Sequence, residues 1–456
     1  MNCLGYIHTK LMGTISLEDI ISATGGKVLA KNGDVFAGVS IDSRTIQRGE
    51  LFVALKGQRF DGHDFVKKAL ETGSGAIVDT PPDEFMRGKT VIQVYDTLEA
   101  LQKIARYMRL KRNIPVIGIT GSNGKTTTKE LIASILATRY RVLKNRGNLN
   151  NNIGLPLSLA GMHDTDEIGV LEMGASAPGE IRELCEIAMP QYGVLTNISP
   201  AHLEGFKDIE TVRKTKLELL AYSDVALVNA DDLFLMEGVH ATGFKGWLIR
   251  YGIKNYAEIR ATNIRLLKKG MVFHLRTSEN ISLEVRAQVS GMFNVYNILA
   301  AASIGYLFNI DPEAMRNAIG SFTGVPMRLE MKDMNGVKII SDVYNANPAS
   351  MRCALQELAR IKRGRAIAVL GDMLELGDYE EEEHRRLGRL LQDLSIDIFI
   401  AVGERMVYAA QEFKGNVYDV KSADAASKLL REICRKGDTV LIKGSRGMNM
   451  ERVLEG

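Results

Sequence analysis

A chain of 456 residues exceeds what one hydrophobic core supports, and at roughly 150 residues per domain it predicts about three domains. Hydrophobic residues at 45% and charged residues at 25% exclude a largely disordered chain. Fifty-eight Lys plus Arg against 55 Asp plus Glu leave a net charge of +3, too balanced for the basic field of a phosphate-backbone binder, so no nucleic-acid partner is expected.

The first residues, with His8 and Lys10, lack the continuous apolar core of a signal peptide. Met12 is a second candidate start beside Met1, and Ser16 with Asp19 has the capping-box spacing that opens a helix. Short strands are predicted at Val35–Ile41, Glu50–Leu55, Gly75–Asp79 and Thr90–Val94, with a helix over Asp64–Thr72. A charged helix then runs into Leu110-Lys111-Arg112-Asn113-Ile114-Pro115, where proline marks a boundary. From Val116 apolar strands alternate with helices, at Val116–Thr120, Ile168–Met173, Gly193–Ile198 and Val225–Asn229, the pattern of a mostly parallel sheet. Glu258–Val289 alternates apolar and polar residues, which predicts short antiparallel strands appended to that sheet. Helices over Asn294–Phe308 and Pro312–Phe322 precede the linker Gly324-Val325-Pro326. The rest repeats the rhythm: strand Ala366–Leu370, helix Glu380–Leu394, strand Asp397–Val402, a helix, and strand Thr439–Lys443. The expected fold class is α/β in three domains: a small α/β domain over 1–112, a central P-loop parallel-sheet domain with appended antiparallel strands over 113–327, and a Rossmann-like domain over 328–456.

Cys3, Cys185, Cys353 and Cys434 lie far apart with no C-x-x-C pair, which suggests neither a disulfide framework nor a zinc site and favours a reducing cytoplasm. The most apolar stretch, Ile298–Phe308, is broken by Ser303 and Gly305 and is shorter than the roughly 20 residues of a membrane span, so no membrane insertion is expected. In the acidic run Asp378–Glu383, the pairs Glu381–Arg385 and Glu382–Arg386 have i,i+4 spacing, a structural explanation that also leaves His384 without a catalytic role.

The sharpest chemical signal is Thr120-Gly121-Ser122-Asn123-Gly124-Lys125-Thr126-Thr127, where an apolar strand meets a glycine loop and then a helix expected over Lys129–Thr138. Backbone N–H groups and a helix N-terminus converge there, as a triphosphate requires. Gly121 and Gly124 allow close approach, Lys125 supplies charge to the phosphates, and Thr126 offers a hydroxyl to Mg²⁺. Ile119 stands where the longer phosphate-loop motif has glycine, so the fit is to the shorter G-x-x-G-K-T form; the alternative is a glycine turn that binds nothing. Glu172, closing an apolar strand, is the second candidate magnesium ligand, against the alternative of a solvated strand-edge carboxylate. His202 follows the next strand and fits either a ligand or a loop hydrogen-bonder. Lys216 by pattern alone is one more surface cation.

The central loop and the segment Asn197–Gly205 together resemble the Mur ligase superfamily. Longer strings extend that resemblance: Gly147-Asn148-Leu149-Asn150-Asn151-Asn152, Asp342-Val343-Tyr344-Asn345-Ala346-Asn347-Pro348 and Leu370-Gly371-Asp372-Met373-Leu374-Glu375-Leu376-Gly377. The resemblance implies an ATP-dependent amide ligase of peptidoglycan synthesis, in which the carboxylate of a UDP-N-acetylmuramoyl tripeptide is activated as an acyl phosphate and captured by D-alanyl-D-alanine. It further implies that Ser122, Asn123, Lys125, Thr126 and Thr127 meet the phosphates, that Thr126, Glu172 and His202 hold Mg²⁺, and that Lys216 carries a CO₂-derived carbamate serving as a further metal ligand. Asn294 and Asn297 would flank adenine; relatives often have histidine before the first, where this chain has Phe293. Arg328 and Asp342 would reach the nucleotide when the third domain closes, and Val343 departs from the Asp or Ser common there. Tyr344, Asn345, Asn347, Ser445 and Arg446 would line the acceptor side. Asp42, Ser43 and Arg44, with Gly57 and Asp61-Gly62-His63, resemble the UDP-binding module, and Asn150 and Asn151 would meet the sugar or pyrophosphate. A monomer is expected.

Competing readings are a ligase adding the third peptide residue, which would carry Asp-x-Ala-His-x-Pro and Asp-Asn-Pro-Arg strings, a P-loop motor or transport ATPase, and a nucleotide-binding relative without chemistry. The first lacks its strings here, the second would lack the first-domain module, and intact Lys125, Glu172, His202 and Lys216 speak against the third.

Overall fold

The computed structural model describes residues 13–57, 59–82, 87–279 and 281–455. Met1, Met12 and Cys3 lie outside the described residues, as do His8 and Lys10. Helix Leu17–Thr24 opens with the expected capping box, Ser16 and Asp19 exchanging side-chain-to-backbone contacts.

Three large α/β sheets follow one another along the chain. The first has five strands in the order Lys27–Ala30, Thr90–Gln93, Gly75–Val78, Glu50–Val53, Gly38–Ser40. The single strand expected over Val35–Ile41 is two: Val35–Phe36 leaves the sheet to pair with Ile15–Ser16, because Gly38 breaks the run at positive φ. Helix Thr97–Arg112 then leads into the central domain, capped by Asp96 at one end and by left-handed Asn113 at the other. Its buried Arg109 donates to the carbonyls of Ala188 and Met189 at 2.8 and 3.2 Å, satisfying the end of helix Glu180–Ala188 and tying the two domains together.

The central sheet has nine strands, in the order Ser282–Ala287, Met271–Thr277, Ile259–Leu266, Trp247–Gly252, Val225–Asn229, Tyr192–Leu195, Val116–Thr120, Ile168–Glu172, Val142–Lys144. The three strands over 259–287 are antiparallel to one another, but Ile259–Leu266 joins the sheet in parallel to Trp247–Gly252, a strand the alternation did not reveal. Apolar cores cover both faces, which is why the inner strands read as continuous hydrophobic runs. The six-stranded third sheet is parallel except for its edge hairpin Glu330–Met334 and Val337–Asp342. On its face, helix Glu380–Asp393 carries the expected Glu381–Arg385 and Glu382–Arg386 pairs, and buried His384 accepts from the Met373 N–H at 3.1 Å. No described helix is long and apolar enough to cross a membrane.

Candidate active site

In the central sheet the strand Val116–Thr120 lies between Ile168–Glu172 and Tyr192–Leu195, where the strand order reverses. An open parallel sheet binds ligands at such a point, beyond the carboxyl ends of its strands. A cavity of about 780 Å³ opens there, lined by the glycine loop, by Glu172 and His202, by Asn294 and Asn297, and by Arg328 and Tyr344 of the third domain.

The loop's shape follows from its glycines. Gly121 has φ 139° and Gly124 φ 83°, and a Cβ on either would lie 2.0 Å from Thr196 Oγ1 or 2.5 Å from Asn297 Oδ1. The helix begins at Lys125, not at Lys129 as expected, because left-handed Gly124 is itself its N-cap. Segment 196–199 clamps the loop. Asn123 N donates to Asn197 Oδ1 at 3.1 Å, its carbonyl accepts from Thr196 Oγ1 at 2.7 Å and Asn197 Nδ2 at 2.9 Å, and Ser122 Oγ donates to the Ser199 carbonyl at 2.8 Å. Thr196, Asn197 and Ser199 were not singled out as site residues in the sequence; their position one strand end away from the loop was the available signal.

Lys125 Nζ donates to the carbonyls of Gly121 and Ser122 at 2.8 and 3.1 Å, so its charge lies over the loop. Burial pushes its pKa down, opposed by Glu172 and aided by Arg328. Glu172 is 2% exposed; its Oε1 accepts from Asn150 Nδ2 at 2.8 Å, while Oε2 is buried without a partner. A buried acceptor left open beside a phosphate loop fits a hard cation, and the Thr126 hydroxyl lines the same cavity. Among the described residues, no group of three His, Cys, Asp or Glu side chains is arranged to hold a metal ion.

Lys216 is not a surface cation. It is 2% exposed behind the cavity wall, donating to the carbonyl of cavity-lining Ala175 at 3.2 Å, with Nζ 5.4 Å from the centre of the Phe206 ring. Burial, then the charge of Lys125, pushes its pKa well below that of an ordinary lysine. Asn151 Oδ1 accepts from the Gly154 N–H at 2.9 Å, ahead of helix Gly154–Ala160, while still lining the cavity, so Asn150 and Asn151 both spend polar atoms on scaffolding.

On the far wall, Asn297 Nδ2 donates to Asn294 Oδ1 at 2.9 Å and Asn294 donates to the Ser290 carbonyl, within an otherwise apolar rim of Val289, Met292 and Phe293. Tyr296 and Asp231, joined at 3.0 Å, brace that side. Phe293 offers contact area and no polar atom.

The third domain reaches the loop directly. Arg328 Nη2 donates to Thr126 Oγ1 at 3.2 Å with its guanidinium 3.9 Å from the centre of the Tyr344 ring, and Asn347 Nδ2 donates to Asn123 Oδ1 at 2.9 Å. Asp342 and Lys443, side by side at the ends of parallel strands, form a buried pair at 2.6 Å; the other Asp342 oxygen accepts from the Leu329 N–H, so Asp342 anchors the Arg328 segment. Asn345 accepts from the Ala346 N–H at 2.9 Å and lines the cavity.

Several expected residues stand away from this cavity. Ser445 is buried and accepts from the Leu374 N–H at 2.8 Å, and Arg446 pairs with Glu451 at 3.0 Å; neither lines it. Asp42 and Arg44 form an exposed bidentate pair at 2.9 and 2.7 Å that holds the Asp42 pKa at about 2, and with Ser43 they lie in the first domain outside the cavity lining. His63 bridges Asp61 at 2.6 Å and the Asp79 N–H at 3.2 Å in the same domain.

Residues 119–305 match the family model of the Mur ligase middle domain, 327–446 that of the Mur ligase glutamate ligase domain, and 35–109 that of the Mur ligase family catalytic domain. The chain is 37% identical over 435 residues to the UDP-N-acetylmuramoyl-tripeptide--D-alanyl-D-alanine ligase of Bacillus subtilis, covering 92% of this chain and 93% of that protein. It is 33% identical to the ligase of the same name from Escherichia coli, covering 97% and 98%. The crystal structure of MurF from Acinetobacter baumannii superposes with a TM-score of 0.88 at 31% identity, covering 98% of this chain and 99% of that one. MurF ligase from Thermotoga maritima in complex with ADP gives a TM-score of 0.80 at 31% identity, covering 92% and 96%.

Proposed function

The chain belongs to the Mur ligase family, and we propose that it runs one reaction of that family: it is an ATP-dependent ligase that joins D-alanyl-D-alanine to a UDP-N-acetylmuramoyl tripeptide in peptidoglycan precursor synthesis. The observation that carries the assignment of its machinery is the convergence of the clamped loop, Glu172 and Arg328 on one cavity.

The proposed route has two displacements. A carboxylate oxygen of the tripeptide attacks the γ-phosphorus of ATP and ADP leaves, giving an acyl phosphate; the dipeptide amine then attacks the acyl carbon, inorganic phosphate leaves, and the amine gives up a proton. Lys125 and the N–H groups of the loop and helix N-terminus neutralise the transferring phosphate. Arg328 brings a second cation from the third domain, so phosphoryl transfer and domain closure are coupled. Asn294, Asn297 and the apolar rim hold the base. Asn150 fixes Glu172, and Asp342 with Lys443 fixes the segment bearing Arg328. Tyr344, Asn345 and Asn347 face the acceptor side, while Asp42, Ser43 and Arg44 hold the uridine diphosphate end of the long substrate.

Thr126 and Glu172, with His202 and a carbamate on Lys216, would hold magnesium, which when bound supplies positive charge against the phosphate oxygens. The open Oε2 of Glu172 supports its place in that set. The carbamate needs a neutral amine, which adds to CO₂ and loses a proton, and the depressed pKa of buried Lys216 supports it. The enzyme is proposed to act as a monomer in the cytoplasm, a reducing compartment that suits its free Cys185, Cys353 and Cys434.

The test pairs ATP and D-alanyl-D-alanine with tripeptides ending in lysine or in diaminopimelate and reads products by mass. A gain of one dipeptide on one of the two supports the reading and fixes its specificity; no product from either contradicts it.

A further inference from the structure

The motif Leu370–Gly377 carries no residue that the proposed reaction uses, yet its loop is firmly anchored in the third domain. Asp372 accepts from the N–H groups of Glu404, Arg405 and Met406 at 3.1, 3.1 and 2.9 Å. Met373 N donates to buried His384, Leu374 N to buried Ser445, and Ser445 N to the Asp372 carbonyl. This scaffold presents Glu375 to the central domain, with Gly377 packed close to Glu204 beside it. Glu375 sits at φ 66°, a left-handed conformation that a glutamate adopts only when its surroundings impose it. Its carbonyl accepts from the Glu204 N–H at 3.1 Å, and its Oε2 lies 2.6 Å from His202 Nδ1, not yet in good hydrogen-bond alignment. His202, itself left-handed at φ 53°, lines the cavity, whereas Glu375 does not. The carboxylate therefore stands behind the imidazole.

We infer that Glu375 is a positioning residue of the ligase reaction: delivered by the third domain, it grips His202 Nδ1 and fixes the ring orientation that turns Nε2 toward the cavity. A side chain that holds the far nitrogen of a working histidine sets both its rotation and its basicity, and loss of such partners typically costs about 10–100-fold. Here the partner comes from another domain, so His202 is set only when the domains meet. The same arrangement gives Ser445 a task although it never touches the cavity: it holds the Leu374 N–H and so the loop that bears Glu375.

This inference rests on the ligase reading, and the experiment separates the two. Wild type, Glu375→Ala, Glu375→Gln and Ser445→Ala are assayed for ligation, and the imidazole ¹⁵N signals are recorded for the same proteins, with His202→Asn identifying the His202 resonance. Glu375→Ala should lower kcat about tenfold with the KM for ATP within about twofold of wild type and the thermal midpoint unchanged. Glu375→Gln, which keeps an acceptor oxygen, should recover most of that loss, and Ser445→Ala should lose less than Glu375→Ala. The His202 signal should move in Glu375→Ala and return toward wild type in Glu375→Gln. Unchanged kcat in Glu375→Ala overturns the inference, as does a loss that follows the thermal midpoint or the KM for ATP, or an unmoved His202 signal. If wild type ligates nothing, the ligase reading fails, while the spectra still decide whether Glu375 holds His202.

Discussion

The glycine loop Gly121–Gly124 and the turn Asp42–Arg44 are both polar segments at the ends of parallel strands, and they differ in where their hydrogen bonds go. Those of the loop reach Thr196, Asn197 and Ser199 beside it and Asn347 from another domain. Those of the turn close on themselves, Arg44 onto Asp42, in the open. A loop that must meet a developing charge is held rigid by its scaffold, so little reorganisation remains at the moment of reaction. A turn proposed only to grip the distant end of a long substrate can exchange a self-made pair for a ligand.

Substitutions break this contrast at either end. The largest effect is expected from Lys125→Ala, a fall in kcat on the order of 10²–10³-fold with the fold intact, read from steady-state ADP formation beside a melting curve. Next, Lys216→Ala should lose about 10–100-fold and regain part of it with added short carboxylic acids, which replace the missing carbamate; full activity without rescue rules the carbamate out. Asn197→Ala removes two contacts to Asn123 and should raise the KM for ATP about tenfold, equivalent to about 1.4 kcal/mol. If the loop keeps its affinity, rigidity is not set by that clamp. Arg44→Ala should raise the KM for the UDP-linked substrate a few-fold at constant kcat, with the thermal midpoint unmoved because exposed ion pairs contribute little.

The smallest effect is one of pH. Asp42 has its pKa lowered from 3.8 to about 2, chiefly by the hydrogen bond from Arg44. A depressed carboxylate pKa stabilises the fold above its unfolded value and loses that contribution as pH falls from about 3.8 toward 2. Because the pair is exposed, Asp42→Asn should flatten an acid melting series only slightly there; a large change would mean that the turn is wired as tightly as the loop.

The same contrast explains what could be read without coordinates. The loop was legible because its signal is local: an apolar strand, two glycines and a lysine within a few residues. Its helix start was misplaced because left-handed Gly124 caps it, with none of the side-chain caps that mark a helix in sequence. Trp247–Gly252 escaped notice because a half-exposed parallel strand shows neither alternation nor a solid apolar run. Glu172, His202 and Arg328 emerged from strand ends and family strings, and Arg328 does reach the loop. Lys216 was unreadable by pattern, since burial of a lysine is a property of the neighbours that enclose it. Asn347 to Asn123, Asn150 to Glu172 and Ser445 to Leu374 span many residues, and no spacing rule links them. Ser445 and Arg446 entered through a motif, which says that a residue matters and not what it touches.

The central claim is that this cavity transfers a phosphoryl group only to complete an amide bond, with both halves of the product in place. Phosphate release from ATP, followed with each substrate omitted in turn, tests it most directly. Full-rate release is expected only with the UDP-muramoyl tripeptide and D-alanyl-D-alanine both present; full-rate release from ATP alone would contradict amide formation and make the protein a motor-type ATPase.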